Sequence, residues 1–257
     1  MSKKKRVLII GQSLSYELID IELLNERNLE PYFLYLNSDK EQVNLKHQKC
    51  YLDVLNIENI KKLVIGNKIN QICCFNDNFL LEVGLIRTEL NLAGIGFEEM
   101  KTFKLKSVMN NKLEGEVDTI PYLMISHDLS YEEVMMKIGP PPYFIKPDNM
   151  AGAEGTMLVR GKQDFLGYRD NIWSERYCSI IQKYIDGKLY HCEMMVNHNE
   201  VIYSQARQYS YPNHKLLEGK IIASFPIDND ELRREIEDKA HRVQKSLKFK
   251  NGIMHTE

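Results

Sequence analysis

The stretch Tyr143–Val159, YFIKPDNMAGAEGTMLV, decides the fold that the sequence predicts. A short apolar strand delivers Lys146 at its end, a run of small residues follows, and a second strand returns. Glycines let backbone N–H groups approach phosphate oxygens without a Cβ in the way, and a neighbouring lysine supplies a compact positive charge. No G-K-[ST] opens a helix here, so the stretch is not a P-loop. It predicts a phosphate-binding hairpin or, more simply, a glycine-containing hairpin with an exposed lysine.

The strands that follow add groups that suit a nucleotide. The apolar strand SIIQKYIDG, Ser179–Gly187, can present backbone carbonyl and N–H groups to a purine edge. The next strand, LYHCEMMV, alternates, so His191 and Glu193 project from one face. A carboxylate there would accept hydrogen bonds from ribose hydroxyls or help to hold a metal ion. For His191 alone, an ordinary hydrogen-bonded sheet histidine is the simpler interpretation.

The first third of the chain alternates strands and helices. The apolar runs RVLIIG, PYFLYL and INQICCF are predicted strands, and apolar residues recur at helical spacing over 14–24, 57–64 and 81–92. Strands separated by helices imply a parallel sheet with right-handed crossovers. The first turn reads GQSLS and lacks G-x-G-x-x-G, which argues against a dinucleotide site of the usual kind.

The pattern changes near Phe97. A polar helical segment covers 97–113, and Ser130 with Glu133 forms an S-x-x-E capping box that marks another helix start. Three prolines, Pro140–Pro142, end that helix. From there the chain is mostly strand until one long helix over 232–247 and a closing strand. This part predicts an α+β fold with antiparallel sheets.

Length and composition bound the class of protein. The chain has 257 residues, enough for about two domains. Its formal net charge of −2 gives no electrostatic case for nucleic acid. No apolar run approaches the ~18 residues of a membrane span. The five cysteines form no C-x-x-C pair, which predicts reduced thiols in the cytoplasm.

Taken in order, these motifs resemble the ATP-grasp superfamily, in its carboxylate–amine ligase branch and close to the L-amino acid ligases. The resemblance covers nearly the whole chain. It implies a Rossmann-like pre-ATP-grasp domain with a parallel sheet over residues 1–97. An ATP-grasp lid subdomain with its preceding helix is implied over 98–183, and the start of the large subdomain over 184–257.

The resemblance also implies a site that takes ATP and Mg²⁺. Its ATP-binding residues fall on Lys106, Lys146, Gly152, Ala153, Glu154, Gly155, Gln182, Lys183, Ile185 and Glu193. Lys183 and Ile185 would bond adenine through their backbones, and no catalytic side chain is assigned. The terminal NGIMHTE is similar to the G-x-x-H-x-E strand that carries a magnesium ligand, which places that ligand on Glu257. Two departures are Gln182, where an acid is common, and Leu189, where a glutamate is common.

The family makes an acylphosphate from a carboxylate and ATP, which an amine then attacks. Both substrates are small molecules that the sequence leaves unidentified. The family continues with a second acidic strand, E-x-[GN]-x-R, that the 257 residues lack, so we expect a partial or truncated ligase with weak nucleotide binding and poor turnover. The alternatives are a non-catalytic nucleotide-binding or regulatory subunit and one half of a split ligase that a partner chain completes. The expected assembly is a homodimer or a pair with that completing partner chain. The loop 210–220 either covers the acceptor site or is an ordinary connection.

Overall fold

The structure of the protein is a computed structural model that describes residues 4–11, 16–36, 48–52, 54–171 and 178–257. The chain divides into two compact units, Met1–Lys104 and Leu105–Glu257. The predicted first domain ended at residue 97, whereas the helix Phe97–Lys104 groups with the first unit. The further division at residue 184 stays a prediction.

The first unit contains a parallel sheet flanked by helices, as the alternating sequence pattern predicts. The strand order in the sheet is β3-β2-β1-β4, and every pairing is parallel. The elements are β1 Lys5–Ile10, α1 Ile21–Glu26, β2 Leu29–Leu36, β3 Gln48–Leu52, α2 Ile57–Gly66, β4 Gln71–Cys74, α3 Leu80–Glu89 and α4 Phe97–Lys104. The short strand β3 was not predicted.

Both faces of this sheet are buried, which explains why its strands read as continuous apolar runs. Along β1, Leu8 and Ile10 join one apolar cluster, while Ile9 between them joins the other. Helices α2 and α3 contribute Ile60 and Val83 to the first cluster. The fold class predicted for this unit is confirmed.

The helix predicted over 14–24 is interrupted, since Tyr16 is helical, residues 17–19 form a turn and bend, and the next helix begins at Ile21. Helix α1 begins at Ile21 because the Asp20 carboxylate accepts a hydrogen bond from the Leu23 backbone N–H, which caps the first turn. Leu18 lies before the cap and is 88% exposed, so it belongs to no apolar face. Residues 12–15, which include Leu14 and most of the first turn, lie outside the described part of the chain.

The second unit is built on two antiparallel sheets, with strand orders β5-β8-β6-β7 and β11-β10-β9-β12. Its elements are α5 Lys106–Leu113, β5 Tyr122–Met124, α6 Tyr131–Ile138, β6 Tyr143–Pro147, β7 Met157–Val159, α7 Lys162–Asn171, β8 Ser179–Lys183, β9 Tyr190–Asn197, β10 Glu200–Tyr209, β11 Ser224–Pro226, α8 Asp230–Ser246 and β12 Gly252–Thr256. The predicted mixture of helices and antiparallel strands is therefore confirmed for this unit.

Local signals in the sequence fix several of these boundaries. The Ser130 side chain accepts a hydrogen bond from the Glu133 backbone N–H and starts α6, as its capping box predicts. The helix ends before Gly139, whose φ of +95° suits glycine. The segment predicted as one helix over 97–113 is instead two helices, α4 and α5, broken at Leu105 in an extended conformation.

Two further observations concern the whole chain. Among the residues that the structure describes, no helix is both long and apolar enough to cross a membrane. All five cysteines are free thiols, in agreement with the predicted absence of disulfides.

Candidate functional site

Lys146 is the central cation of the candidate site. It lies on β6 between the buried residues Ile145 and Pro147, and its ammonium stands 5.6 Å from the centroid of the Phe144 ring. Burial lowers the pKa of Lys146 below its ordinary value, while the charge of Glu257 acts in the opposite direction. Within the described part of the chain, the ammonium has no hydrogen-bonding partner, so it is available to an anion.

The loop between β6 and β7 has an unusual backbone. Gly152, Ala153 and Gly155 have φ values of +68°, +63° and +67°, in the left-handed region. At Gly155, an added Cβ would lie 2.7 Å from Cγ of Pro147, so this position excludes any side chain. Glu154 is exposed. The loop thus brings backbone close to the end of β6, as the sequence predicts for a phosphate-binding hairpin.

The ammonium of Lys106 is hydrogen-bonded to the backbone at the start of this loop. It donates hydrogen bonds to the backbone carbonyls of Pro147, Asp148 and Met150 at 2.9, 3.3 and 2.7 Å. The sequence interpretation gave Lys106 a direct role on phosphate. In the structure a phosphate would have to compete with three carbonyl oxygens for this ammonium, because those oxygens already accept its hydrogen bonds.

The predicted adenine-binding segment lies at the end of β8. Gln182 is buried and pairs with strands on both sides, Tyr122 on β5 and Phe144 on β6. Among the residues that the structure describes, Lys183 pairs with Tyr143 alone, because β5 pairs no farther than Gln182. Ile185 follows the strand and is 62% exposed. The backbone edge that the interpretation assigns to a purine is therefore partly unpaired.

Glu193 sits between two histidines on the second sheet. Strand register places His255 directly opposite Glu193, and His191 two residues away on the same face. Oε1 of Glu193 lies 3.1 Å from Nδ1 of His191 and 2.5 Å from Nδ1 of His255. This arrangement favours the metal role for Glu193 over the ribose role, since one carboxylate oxygen is already engaged by both rings.

Glu257 extends the hydrogen-bonded group of His191, Glu193 and His255. Its Oε1 lies 3.3 Å from Nε2 of His255 and accepts a 2.5 Å hydrogen bond from the side-chain amide of Asn213. Burial alone would raise the pKa of Glu257, yet that pKa is lowered because these hydrogen bonds and the charge of Lys146 stabilise the carboxylate. Conversely, the bonds to Glu257 and Glu193 raise the pKa of His255 to about 9 against the effect of burial.

The structure thus brings together most of the predicted residues in two groups. Lys146, the glycine loop and Lys106 meet at the end of β6, and Glu193 and Glu257 meet across His255. The electrostatic interaction between Lys146 and Glu257 links the two groups. Gln182 and Lys183 lie on the strand beside β6.

Sequence reasoning missed the residues that support these groups from positions far away in the sequence. Asp148 accepts hydrogen bonds from both the backbone and the hydroxyl of Ser107 at 2.7 Å, 41 residues away. In the loop 210–220, Asn213 bonds Glu257, and His214 lies 5.3 Å from the Phe144 ring, centroid to centroid. That loop therefore contacts the site from two sides. No local pattern in the sequence marks these long-range partners.

Known proteins are similar to the chain in sequence and in fold, although no family model matches it. The L-arginine-specific L-amino acid ligase of Bacillus subtilis is 23% identical over 273 residues, which cover 93% of this chain and 65% of that protein. The crystal structure of an L-amino acid ligase from Bacillus licheniformis superimposes with a TM-score of 0.75 at 15% identity, covering 100% of this chain and 63% of that one.

The fold is also similar to the solved structure of a second enzyme. The N5-carboxyaminoimidazole synthetase from Staphylococcus aureus, complexed with ADP, gives a TM-score of 0.74 at 14% identity and covers 99% of this chain and 67% of that one.

The fold is ATP-grasp ligase-like, since it is similar to the solved structures of an L-amino acid ligase and an N5-carboxyaminoimidazole synthetase, and the sequence is similar to that of an L-amino acid ligase. Within that class, L-amino acid ligases of two Bacillus species are similar to it in sequence or in fold. The chain spans slightly less than two thirds of the length of those two relatives, 65% and 63%.

Proposed function

We propose that the protein is an ATP-dependent carboxylate–amine ligase, in which ATP, bound with Mg²⁺, donates its terminal phosphoryl group to a small carboxylate, leaves as ADP, and so activates the carboxylate for attack by an amine. The observation that carries this proposal is the free ammonium of Lys146. It stands at the end of a strand, beside a loop whose backbone admits close approach, and in the field of Glu257. A nucleotide phosphate is the anion that such a group suits.

The residues present fit the nucleotide and its metal. Lys146 would neutralise phosphate charge, and backbone N–H groups over 152–155 would donate to phosphate oxygens. Lys183 and Ile185 would offer backbone groups to adenine. Glu257, held as a carboxylate by Asn213 and His255, supplies the hard oxygen ligand that Mg²⁺ prefers. Lys106 would fix the loop from behind through its three carbonyl contacts.

Little covalent chemistry is asked of the protein in such a reaction. The chain's residues would hold the reactants in line and exclude water, and fixed charges would stabilise the transferred phosphoryl group. Asn213 and His214 place the loop 210–220 against this site, which favours a role for the loop in covering the substrates.

The direct test is nucleotide binding by the 257-residue chain. We expect Lys146→Met to weaken the binding of Mg²⁺–ADP, measured by calorimetry, by about 10- to 100-fold. The reason is that a charge-assisted hydrogen bond contributes about 1.5–3 kcal/mol. The matched control is Lys137→Met on α6, which removes only an exposed pair with Glu133 worth roughly 0.5 kcal/mol or less.

Equal affinity in the two variants would refute the assignment of Lys146 to phosphate. A ligase also differs from a nucleotide-binding subunit in turnover. The ligase proposal predicts slow ADP release from ATP, consistent with the poor turnover expected of this chain, and that release should require a carboxylate and an amine together. A regulatory subunit would bind ADP and release none, whereas one half of a split ligase would release ADP only after its partner chain is added.

A further inference from the structure

His191, Glu193 and His255 form a cluster whose ligand atoms all lie within 4.8 Å of one another. We propose that they bind one divalent transition-metal ion, through Nδ1 of both histidines and a carboxylate oxygen of Glu193. This site is separate from the magnesium ligand assigned to Glu257. It does not depend on the proposed ligase function, because it requires no nucleotide.

The distances suit coordination at a single point. Oε1 of Glu193 lies 3.1 Å from Nδ1 of His191 and 2.5 Å from Nδ1 of His255. Metal bonds of about 2.1 Å require neighbouring ligand atoms to stand roughly 3 Å apart, so the Glu193–His191 separation already fits and the Glu193–His255 separation has to widen. Strands β9 and β12 hold the three residues by direct pairing, so the ligands come from a rigid sheet.

Both histidines have a partner on the ring nitrogen that faces away from the cluster. Nε2 of His191 lies 2.8 Å from Oγ of Ser224, and Nε2 of His255 lies 3.3 Å from Oε1 of Glu257. Metal-binding histidines almost always donate their second N–H to such an oxygen, and the metal replaces the proton on the first nitrogen. Tyr209 stacks on the His191 ring at 4.3 Å and fixes its plane.

The cluster is buried on one side and open on the other. The side chain of His191 is 6% exposed, whereas those of Glu193 and His255 are 38% and 43% exposed. Water can therefore complete the coordination shell from the open side. Two histidines and one carboxylate are the ligand set of several catalytic zinc sites and of non-haem iron sites, and imidazole favours these metals over Mg²⁺.

The test is a cobalt(II) titration of the 257-residue chain without nucleotide, followed by visible absorption. We expect one equivalent to bind, and His255→Ala to weaken binding by at least about tenfold, since it removes a ligand. Glu193→Gln should weaken it as well. The control is His198→Asn on the β9–β10 turn, where His198 is exposed and uses only its backbone N–H, and where asparagine tolerates its φ of +50°.

Unchanged cobalt affinity in both His255→Ala and Glu193→Gln would overturn the proposal. So would displacement of cobalt by millimolar Mg²⁺, because a site that prefers Mg²⁺ is built on oxygen ligands. The Lys146→Met variant separates this proposal from the ligase proposal: it should lose nucleotide affinity and still bind cobalt. Loss of cobalt binding in His198→Asn, to the extent seen in His255→Ala, would also contradict the assignment.

Discussion

At the scale of single residues, Asp148 connects the glycine loop of the candidate site to a helix that lies far away in the sequence. Helix α5 begins at Lys106 without a side-chain cap of its own, since its N-cap residue is Leu105. The Asp148 carboxylate takes that place, accepting hydrogen bonds from the backbone N–H and the hydroxyl of Ser107. A carboxylate at a helix N-terminus also interacts favourably with the helix dipole. Asp148 therefore ties the glycine loop to α5.

Asp148→Ala tests this support. Asp148 is 5% exposed, and its two hydrogen bonds to Ser107 are charge-assisted. We expect the substitution to lower the free energy of unfolding by about 2–3 kcal/mol, measured by urea denaturation. The control is Asp238→Ala, an exposed position on α8, which should change that free energy by no more than ~0.5 kcal/mol. Equal midpoints for the two variants would contradict the account.

Single residues also show which side-chain positions can be predicted from the sequence. The alternation in β9 correctly places His191 and Glu193 on one face, because a strand has a side-chain period of two. The partners Ser224 and Asn213 were not predictable. They reach His191 and Glu257 across 33 and 44 residues of chain, through folding rather than through any local pattern.

At the scale of elements, the loop between β6 and β7 carries the strongest constraint. Its glycines differ in what surrounds them. Gly155 packs against the ring of Pro147, whereas Gly152 has no heavy atom within 4 Å of a built Cβ. Both have positive φ, so an alanine at either site is strained by its backbone alone. Only at Gly155 does a rigid ring add to the strain.

A series of alanine substitutions separates the two effects. Gly152→Ala should cost about 1 kcal/mol of stability, from the left-handed backbone. Gly155→Ala should cost about 2–4 kcal/mol, since overpacking adds to that strain. Gly161→Ala, where nothing lies within 4 Å and φ is not positive, should be nearly neutral. Urea denaturation of the three variants checks the order, and equal costs at 152 and 155 would contradict the packing argument.

Strands and helices with a clear apolar period were predictable, whereas boundaries that depend on caps or mixed composition were not. Strand β6 matches its predicted limits because prolines flank the apolar run on both sides. Helix α1 begins at Ile21, inside the predicted helical span, because Asp20 caps it there after a turn. Strand β3 and helix α7 were missed, and α7 has little apolar periodicity in KQDFLGYRDN, Lys162–Asn171.

At the scale of the whole molecule, the two units contain different types of sheet, and the apolar patterns of their strands already distinguish them in the sequence. The first carries continuous apolar strands and a parallel sheet with both faces buried. The second unit contains antiparallel sheets. Buried and less buried residues alternate along a strand such as β9, so one face of the sheet can present polar groups. The candidate nucleotide residues from Lys106 to Glu257 all belong to the second unit. Ligand binding is therefore expected to protect that unit.

Hydrogen exchange of the 257-residue chain, with and without Mg²⁺–ADP, tests the central claim most directly. The account predicts that the nucleotide slows exchange in the loop 148–156 and at 183–186, since their backbone N–H groups would bond phosphate and adenine. Exchange over the sheet of the first unit should stay unchanged. Protection confined to residues 4–104, or no protection at saturating nucleotide, would contradict the claim that the second unit holds a nucleotide site.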